Sequence, residues 1–350
     1  MKKKVLTAII SCAAAGMFSA EMQNITLQIA TPASSTIKLD GKLEEAAWKK
    51  APVHGKYYVY MNKMGSIALT RTSCRLIYDA NGVYIGIENF CDDPKAIRRT
   101  ITTNNHSDIW RDDCAEIYFN PLADRMSFIR YAVNSNAATH SMSRDTTLLV
   151  NGNYMTPGSK FSCYTGDKSW NIEAFMPWED LQLSRPARPG DLWQFAHIRY
   201  AWPDNKFIGS SSAVNAAYGS PEDFGYLLFT DGKTPDLNRI GAILNKKIKT
   251  PWGLGLDDKL LSSDGSQYRI VPLAEEFGKV ETACNALSGE LQKKNLTAAS
   301  RKIFNGIAGE RKKLESLKKS NPVAWLVGTM RIMDKFRDLQ WRVKLEEKYQ

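Results

Sequence analysis

Beyond residue 20 the chain has no apolar run long enough to cross a membrane, which excludes an integral helical membrane protein. Cysteine is sparse and badly spaced. Of the six, Cys12 lies near the N-terminus, and Cys74, Cys91, Cys114, Cys163 and Cys284 form neither a disulfide framework nor a metal knuckle. They read as mostly buried thiols. A basic stripe is also missing from the centre of the chain. The formal charge of +10 is uneven: residues 275–350 carry 16 Lys and Arg against 10 Asp and Glu, whereas residues 21–274 carry 28 against 27. The neutral centre argues against nucleic acid as a partner, and any basic surface belongs to the C-terminal segment. A composition of 43% hydrophobic and 24% charged residues excludes wholesale disorder.

Residues 1–20 have the anatomy of a signal peptide. Lys2, Lys3 and Lys4 precede apolar stretches over 5–10 and 13–18, and the small Ser19 and Ala20 precede Glu21. The sequence therefore predicts export to the periplasm or the cell exterior. Ile9-Ile10-Ser11-Cys12 also resembles a lipoprotein cleavage box, with Cys12 lipidated; the apolar run before it is very short, so the free form is preferred.

From residue 37 to 229 the dominant signal is short alternating strands separated by turn residues. Segments 71–79 and 83–90 flank Asp79-Ala80-Asn81-Gly82, whose Asn-Gly suits a hairpin turn with positive φ. Further strands are expected at 113–119, 127–134, 170–175, 192–200 and 226–229, and one short helix at 43–49. Long helical patterns between the strands are missing, which excludes a doubly wound fold and predicts a mainly β protein, an antiparallel, jelly-roll-like β-sandwich over 21–235. Residues 236–271 read as a linker or irregular segment, because Pro251, Gly253, Gly255 and Gly265 break any periodicity. Residues 272–350 read as a small α-helical region. Trp325, Ile332, Phe336, Leu339 and Val343 share one helix face, Ile303, Ile307, Leu314 and Leu317 another, and Asn321-Pro322 separates two helices.

Several motifs recur in order between about residues 35 and 230. They open with Ile37-Lys38-Leu39-Asp40-Gly41-Lys42-Leu43-Glu44-Glu45-Ala46-Ala47-Trp48 and continue through Leu76-Ile77-Tyr78-Asp79 and Val83-Tyr84-Ile85. Trp110-Arg111-Asp112-Asp113-Cys114-Ala115-Glu116-Ile117, Tyr131-Ala132-Val133-Asn134 and Trp170-Asn171-Ile172-Glu173-Ala174-Phe175 follow, then Trp193-Gln194-Phe195, Trp202-Pro203 and Pro221-Glu222-Asp223-Phe224-Gly225. This series resembles the family 9 carbohydrate-binding modules. The resemblance implies that Trp110 and Trp202 are the two aromatic residues that sandwich a sugar, and that Glu116 bonds its hydroxyls. Arg130 and Asn134 lie where further polar contacts are supplied. It also implies a structural calcium, for which Asp92-Asp93 and Asp112-Asp113 are the candidate carboxylates, although solvated turns account for them too. No other cofactor is expected.

The residues support that reading on their own terms. An indole offers a rigid apolar platform to the C–H face of a pyranose, while Glu, Asn and Arg match its hydroxyl rim. Alternation places Ala115, Ile117, Phe119, Ile129, Tyr131 and Val133 on a core face, and Glu116, Arg130 and Asn134 on the opposite, polar one. Glu116 and Arg130 could equally be a cross-strand ion pair. Trp48, Trp170, Trp178 and Trp193 read as packing, and Glu173 with Arg199 as a structural pair. The expected function is an exported, non-catalytic carbohydrate-binding protein, with a polysaccharide or oligosaccharide as partner and a role in carbohydrate catabolism. Three alternatives stand beside it. A haem-binding electron-transfer sandwich would need an axial ligand, for which His197 is the one histidine inside an expected strand. A glycoside hydrolase would need a pair of carboxylates across a cleft. An envelope scaffold would dock a protein partner through Arg311-Lys312-Lys313 and Lys318-Lys319 of the C-terminal helices.

Overall fold

A computed structural model describes residues 22–145, 148–151, 156–233 and 235–349; the expected signal peptide, with Cys12, lies outside these residues. The first half contains β1 (Gln23–Asn24), β2 (Leu27–Pro32), α1 (Ala46–Lys50), β3 (Tyr58–Val59), β4 (Thr72–Tyr78), β5 (Gly82–Phe90), β6 (Cys114–Asn120), β7 (Phe128–Asn134), β8 (Thr139–Arg144) and β9 (Leu149–Asn151). The sandwich is completed by β10 (Lys160–Thr165), β11 (Ser169–Pro177), β12 (Leu192–Ala201), β13 (Ile208–Ser211) and β14 (Gly225–Phe229). Then come α2 (Leu237–Lys247), β15 (Trp252–Leu256), β16 (Lys259–Ser263), β17 (Tyr268–Pro272), α3 (Leu273–Gln292), α4 (Ala298–Leu314), α5 (Leu317–Ser320) and α6 (Pro322–Tyr349).

The fold is a mainly β sandwich followed by helices. One sheet runs β10-β11-β5-β4-β2-β14-β12-β6-β7-β8-β9, with β13 and β3 attached beside β12. Most neighbours are antiparallel, but β2 lies parallel to both β4 and β14. Alternation decides what the sheet encloses. Leu76 and Ile85 from one layer and Ile117, Tyr131, Phe195 and Phe229 from the other fill a single core. Trp48, Trp170, Trp178 and Trp193 are all buried, as packing residues should be.

Several local expectations are corrected. The β4–β5 hairpin forms, but neither Asn81 nor Gly82 takes a positive φ. The turn is instead tied by Asp79, whose Oδ1 accepts from Asn81 N at 2.7 Å and Gly82 N at 3.1 Å. Gly82 is needed for closeness, since a Cβ there would lie 2.3 Å from the Met176 carbonyl oxygen. Glu173 and Arg199 are not partners. Glu173 accepts from Asp40 N, Gly41 N and Trp48 Nε1, each at 2.8 Å, which fastens the opening motif to β11. Arg199 donates to the carbonyls of Arg71 at 2.7 Å and Phe90 at 2.8 Å, clamping β4 and β5 to β12.

Residues 236–271 are not an irregular linker. Their three strands join β1 in a second sheet, β1-β15-β16-β17, with Gln23 and Asn24 parallel to Trp252 and Gly253. Gly253 is a close-approach residue here rather than a breaker: a Cβ on it would stand 3.0 Å from Val323 of α6. Ile240, Leu244 and Ile248 pack with Trp252 and Leu254 against Leu192, Tyr226 and Leu228, which binds this unit to the back of the sandwich. On its other side α6 packs against α3 and α4. Trp325, Ile332, Phe336, Leu339 and Val343 are buried together, and Ile303 is the one residue of the expected α4 face left exposed, with Phe304 buried in its place. Lys318 of the basic cluster is used internally, lying over Phe277 and Trp325 and pairing with Glu281. No helix among the described residues is long and apolar enough to cross a membrane.

His197 sits wholly inside the sandwich, its Nδ1 2.7 Å from the Tyr57 hydroxyl. Burial, reinforced by Arg199, pushes its pKa down to about 3 from 6.5. Between these values the folded chain binds less proton here than the unfolded chain, so stability falls as pH drops below 6.5. Chemical denaturation at pH 7, 6 and 5 should show a loss approaching about 1.4 kcal/mol per pH unit from this group in the lower part of that range. His197→Asn should flatten the slope while lowering stability at neutral pH.

Candidate functional site

The antiparallel register of β12 on β6 sets Tyr200 opposite Cys114. Chain that leaves β12 just after residue 200 therefore meets chain that enters β6 just before residue 114, at one edge of the sandwich. Trp202 and Trp110 sit on those two segments. Trp110 belongs to a 3-10 turn, Ser107–Arg111, and is 39% exposed, while Trp202 is half-buried at the mouth of a turn whose Asp204 and Asn205 have φ of 51° and 59°. Their ring centroids are 6.2 Å apart at 44°, and Trp202 Nε1 donates to the Trp110 carbonyl at 3.1 Å. A pyranose held between two rings needs about 7–8 Å, twice an optimal carbon–carbon contact. The two indoles thus form a V whose arms lean on each other. Phe207 extends the patch, its ring 5.2 Å from Trp202.

Glu116 and Arg130 point to the face opposite the core, as alternation requires, but that face is not open. Tyr118, Phe128, Ala196, Ile198, Tyr200, Ala213 and Phe224 cover it as a second apolar layer, and Glu116 and Arg130 are 1% and 3% exposed. They form a buried ion pair. Glu116 Oε2 also accepts from Tyr118 at 2.6 Å and Tyr200 at 3.2 Å, and Arg130 Nη1 lies 3.1 Å from His140 Nδ1. Above them the Tyr200 hydroxyl meets that of Tyr60 at 3.3 Å, which accepts from Tyr218 N at 3.0 Å. Burial works against the Arg130 charge, but Glu116 beside it holds the guanidinium above its ordinary pKa. Burial and then the Arg130 charge push His140 down, in keeping with a neutral ring that accepts from the arginine.

Asn134 does not join this group. Its Nδ2 donates to the Ile101 carbonyl at 2.7 Å and to Asp112 at 2.9 Å, and its Oδ1 accepts from Asn136 N and Ala138 N. It is fully buried and every polar atom is used, so the expected ligand contact is replaced by a loop-holding role. Three of the four candidate calcium carboxylates are engaged in the same way, and the fourth, Asp92, is exposed at a bend. Asp112 accepts from Thr100 N, Thr100 Oγ1, Ile101 N and Asn134, Asp113 accepts from Arg98 N, and Asp93 caps a turn through Lys95 N. Oxygens already facing N–H donors do not fit a divalent cation, and no three metal-ligating side chains converge among the described residues. Nor does His197 fit an axial haem ligand, since it is sealed between the two layers without a face for a macrocycle.

The residues missed by sequence reasoning are Tyr60, Tyr200, Phe207 and Tyr218. Tyr200 was findable, because alternation along β12 puts it on the face of Ala196 and Ile198. The others lie on loops or a strand end with no periodicity to expose them. Removing one member of the buried pair leaves the other charge uncompensated. Glu116→Gln and Arg130→Met should each cost about 3–5 kcal/mol in denaturant unfolding, and the double variant Glu116→Leu with Arg130→Met clearly less than their sum.

Residues 39–231 match the profile of the family described as Carbohydrate family 9 binding domain-like. Among solved structures the chain is similar to a carbohydrate binding module family 9 from Caldicellulosiruptor kristjanssonii in complex with glucose, at 15% identity and a TM-score of 0.44, over 60% of this chain and 100% of that one. It is similar to such a module from the same organism in complex with cellotriose at 15% identity and 0.44, over 61% and 97%. No curated protein matches. With more than half of its length inside the matched region, the chain belongs to the carbohydrate family 9 binding domain-like family.

Proposed function

We propose that the protein is an exported, non-catalytic carbohydrate-binding protein that receives a saccharide at the Trp110–Trp202 rim and serves polysaccharide breakdown. The observation that carries this reading is the pair of indoles brought from separate segments to one edge of a carbohydrate family 9 binding domain, with Trp110 left 39% exposed. The two indoles, clustered with Phe207 at one edge, make an apolar patch on which a sugar ring can stack. Side-chain rotation opens the V to a flat sugar ring, whose C–H face stacks on indole. Glu116 and Arg130 act one layer down. They hold Tyr200 and Tyr60 beneath the rim and so position it, rather than reaching the ligand themselves. The acid is tied to an arginine, which suits a structural charge and not a general acid. Export rests on the composition of residues 1–20, and a catabolic role on the class of ligand.

Calorimetric titration with glucose, cello-oligosaccharides, xylan fragments and oligogalacturonates tests the reading. Saturable binding is expected, weakened at least tenfold in Trp110→Ala and in Trp202→Ala with the fold intact by circular dichroism. Absence of heat with every sugar would refute it.

A further inference from the structure

The two tryptophans are each attended by a cation. The Arg98 guanidinium lies 5.2 Å from the ring centre of Trp202, and that of Arg111 lies 5.2 Å from the ring centre of Trp110. Neither arginine is engaged in a strong ion pair. Arg98 forms none among the described residues, and Arg111 meets Asp108 only at 3.7 Å, with both side chains about half exposed. The carboxylates that follow Arg111 do not neutralise it: Asp112 and Asp113 are buried with oxygens turned to backbone N–H groups, and the exposed Asp92 and Asp93 form no ion pair with Arg98 among the described residues. On the two segments that carry the indoles, residues 91–113 and 202–207, the charges that are not buried are Lys95, Arg98, Arg99, Arg111 and Lys206 against Asp92, Asp93, Asp108 and Asp204. The rim as a whole is close to neutral, and what sets it apart is that each indole has a guanidinium over it without a tight counter-ion.

A neutral sugar gains little from such a rim, because it must take the place of an arginine on an indole face and offers only hydroxyls in return. A sugar acid is different. When its ring stacks on an indole, the carboxylate projects past the ring edge, where a guanidinium displaced from that face meets it in a forked, charge-assisted hydrogen bond. We infer that the ligand of this rim is an acidic glycan, one containing uronic acid units, with Arg98 and Arg111 as the residues that select the carboxylate. This rests on the placement of the carbohydrate site at Trp110 and Trp202.

The test is titration of the whole protein at low salt with two oligosaccharides of equal length, trigalacturonate and cellotriose, repeated at higher salt. The acidic ligand should bind at least tenfold more tightly, with the ratio shrinking as salt screens the contact. In Arg98→Gln/Arg111→Gln the ratio should fall toward one. Equal affinities in the native protein, or an acid preference that survives in the double variant, would overturn the inference and leave carbohydrate binding standing. Binding of neither sugar by the folded protein would remove both readings together.

Discussion

An ion pair shut away from water has to be walled on every side, and the wall around Glu116 and Arg130 shapes the end of the sandwich that carries Trp110 and Trp202. Two charges in the interior are tolerable only when each is met by further dipoles. Here these are the hydroxyls of Tyr118 and Tyr200 and the ring nitrogen of His140. Placing those groups brings in the rest. Tyr200 fixes Tyr60, Tyr60 fixes the backbone of Tyr218, and the chain from β12 through β13 to β14 closes over the pair. Trp202 and Phe207 stand on that covering segment, so the exposed aromatic rim is the outer surface of a structure built to keep charges dry.

This arrangement divides labour between two depths. The lower layer is rigid, fully packed and polar, and it resists change. The upper layer consists of indoles and arginines held by stacking and a single indole hydrogen bond, contacts that are individually weak and readily exchanged. A binding surface benefits from that order, because rearranging the top need not disturb the support below.

The sequence was most readable where periodicity speaks. The core faces of β6 and β7 and the apolar stripe of α6 follow from alternation or helical spacing, and the burial of the four packing tryptophans from their place in the recurring motifs. It was least readable where distant segments cover one another. Alternation says that Glu116 and Arg130 leave the core side, but it cannot say that residues near 60 and 213–224 will roof them. Asn134 shows the same limit: its side chain was assigned to the correct face, yet its partners come from a loop 22 to 33 residues earlier. The glycines of 236–271 misled for a related reason. Gly253 and Gly265 resemble breakers in one dimension, and only the approach of α6 and the turn at Gly265, with φ of 97°, reveal them as parts of a sheet.

The parallel pairing of β1 with β15 has a consequence for the history of each molecule. It joins residues separated by 229 positions, Gln23 with Trp252, so the earliest described strand has no partner until most of the chain has been made. Vectorial synthesis therefore leaves β1 waiting while the strands after it find their neighbours. Closure of the small sheet becomes a late checkpoint, passed only when the C-terminal third has arrived.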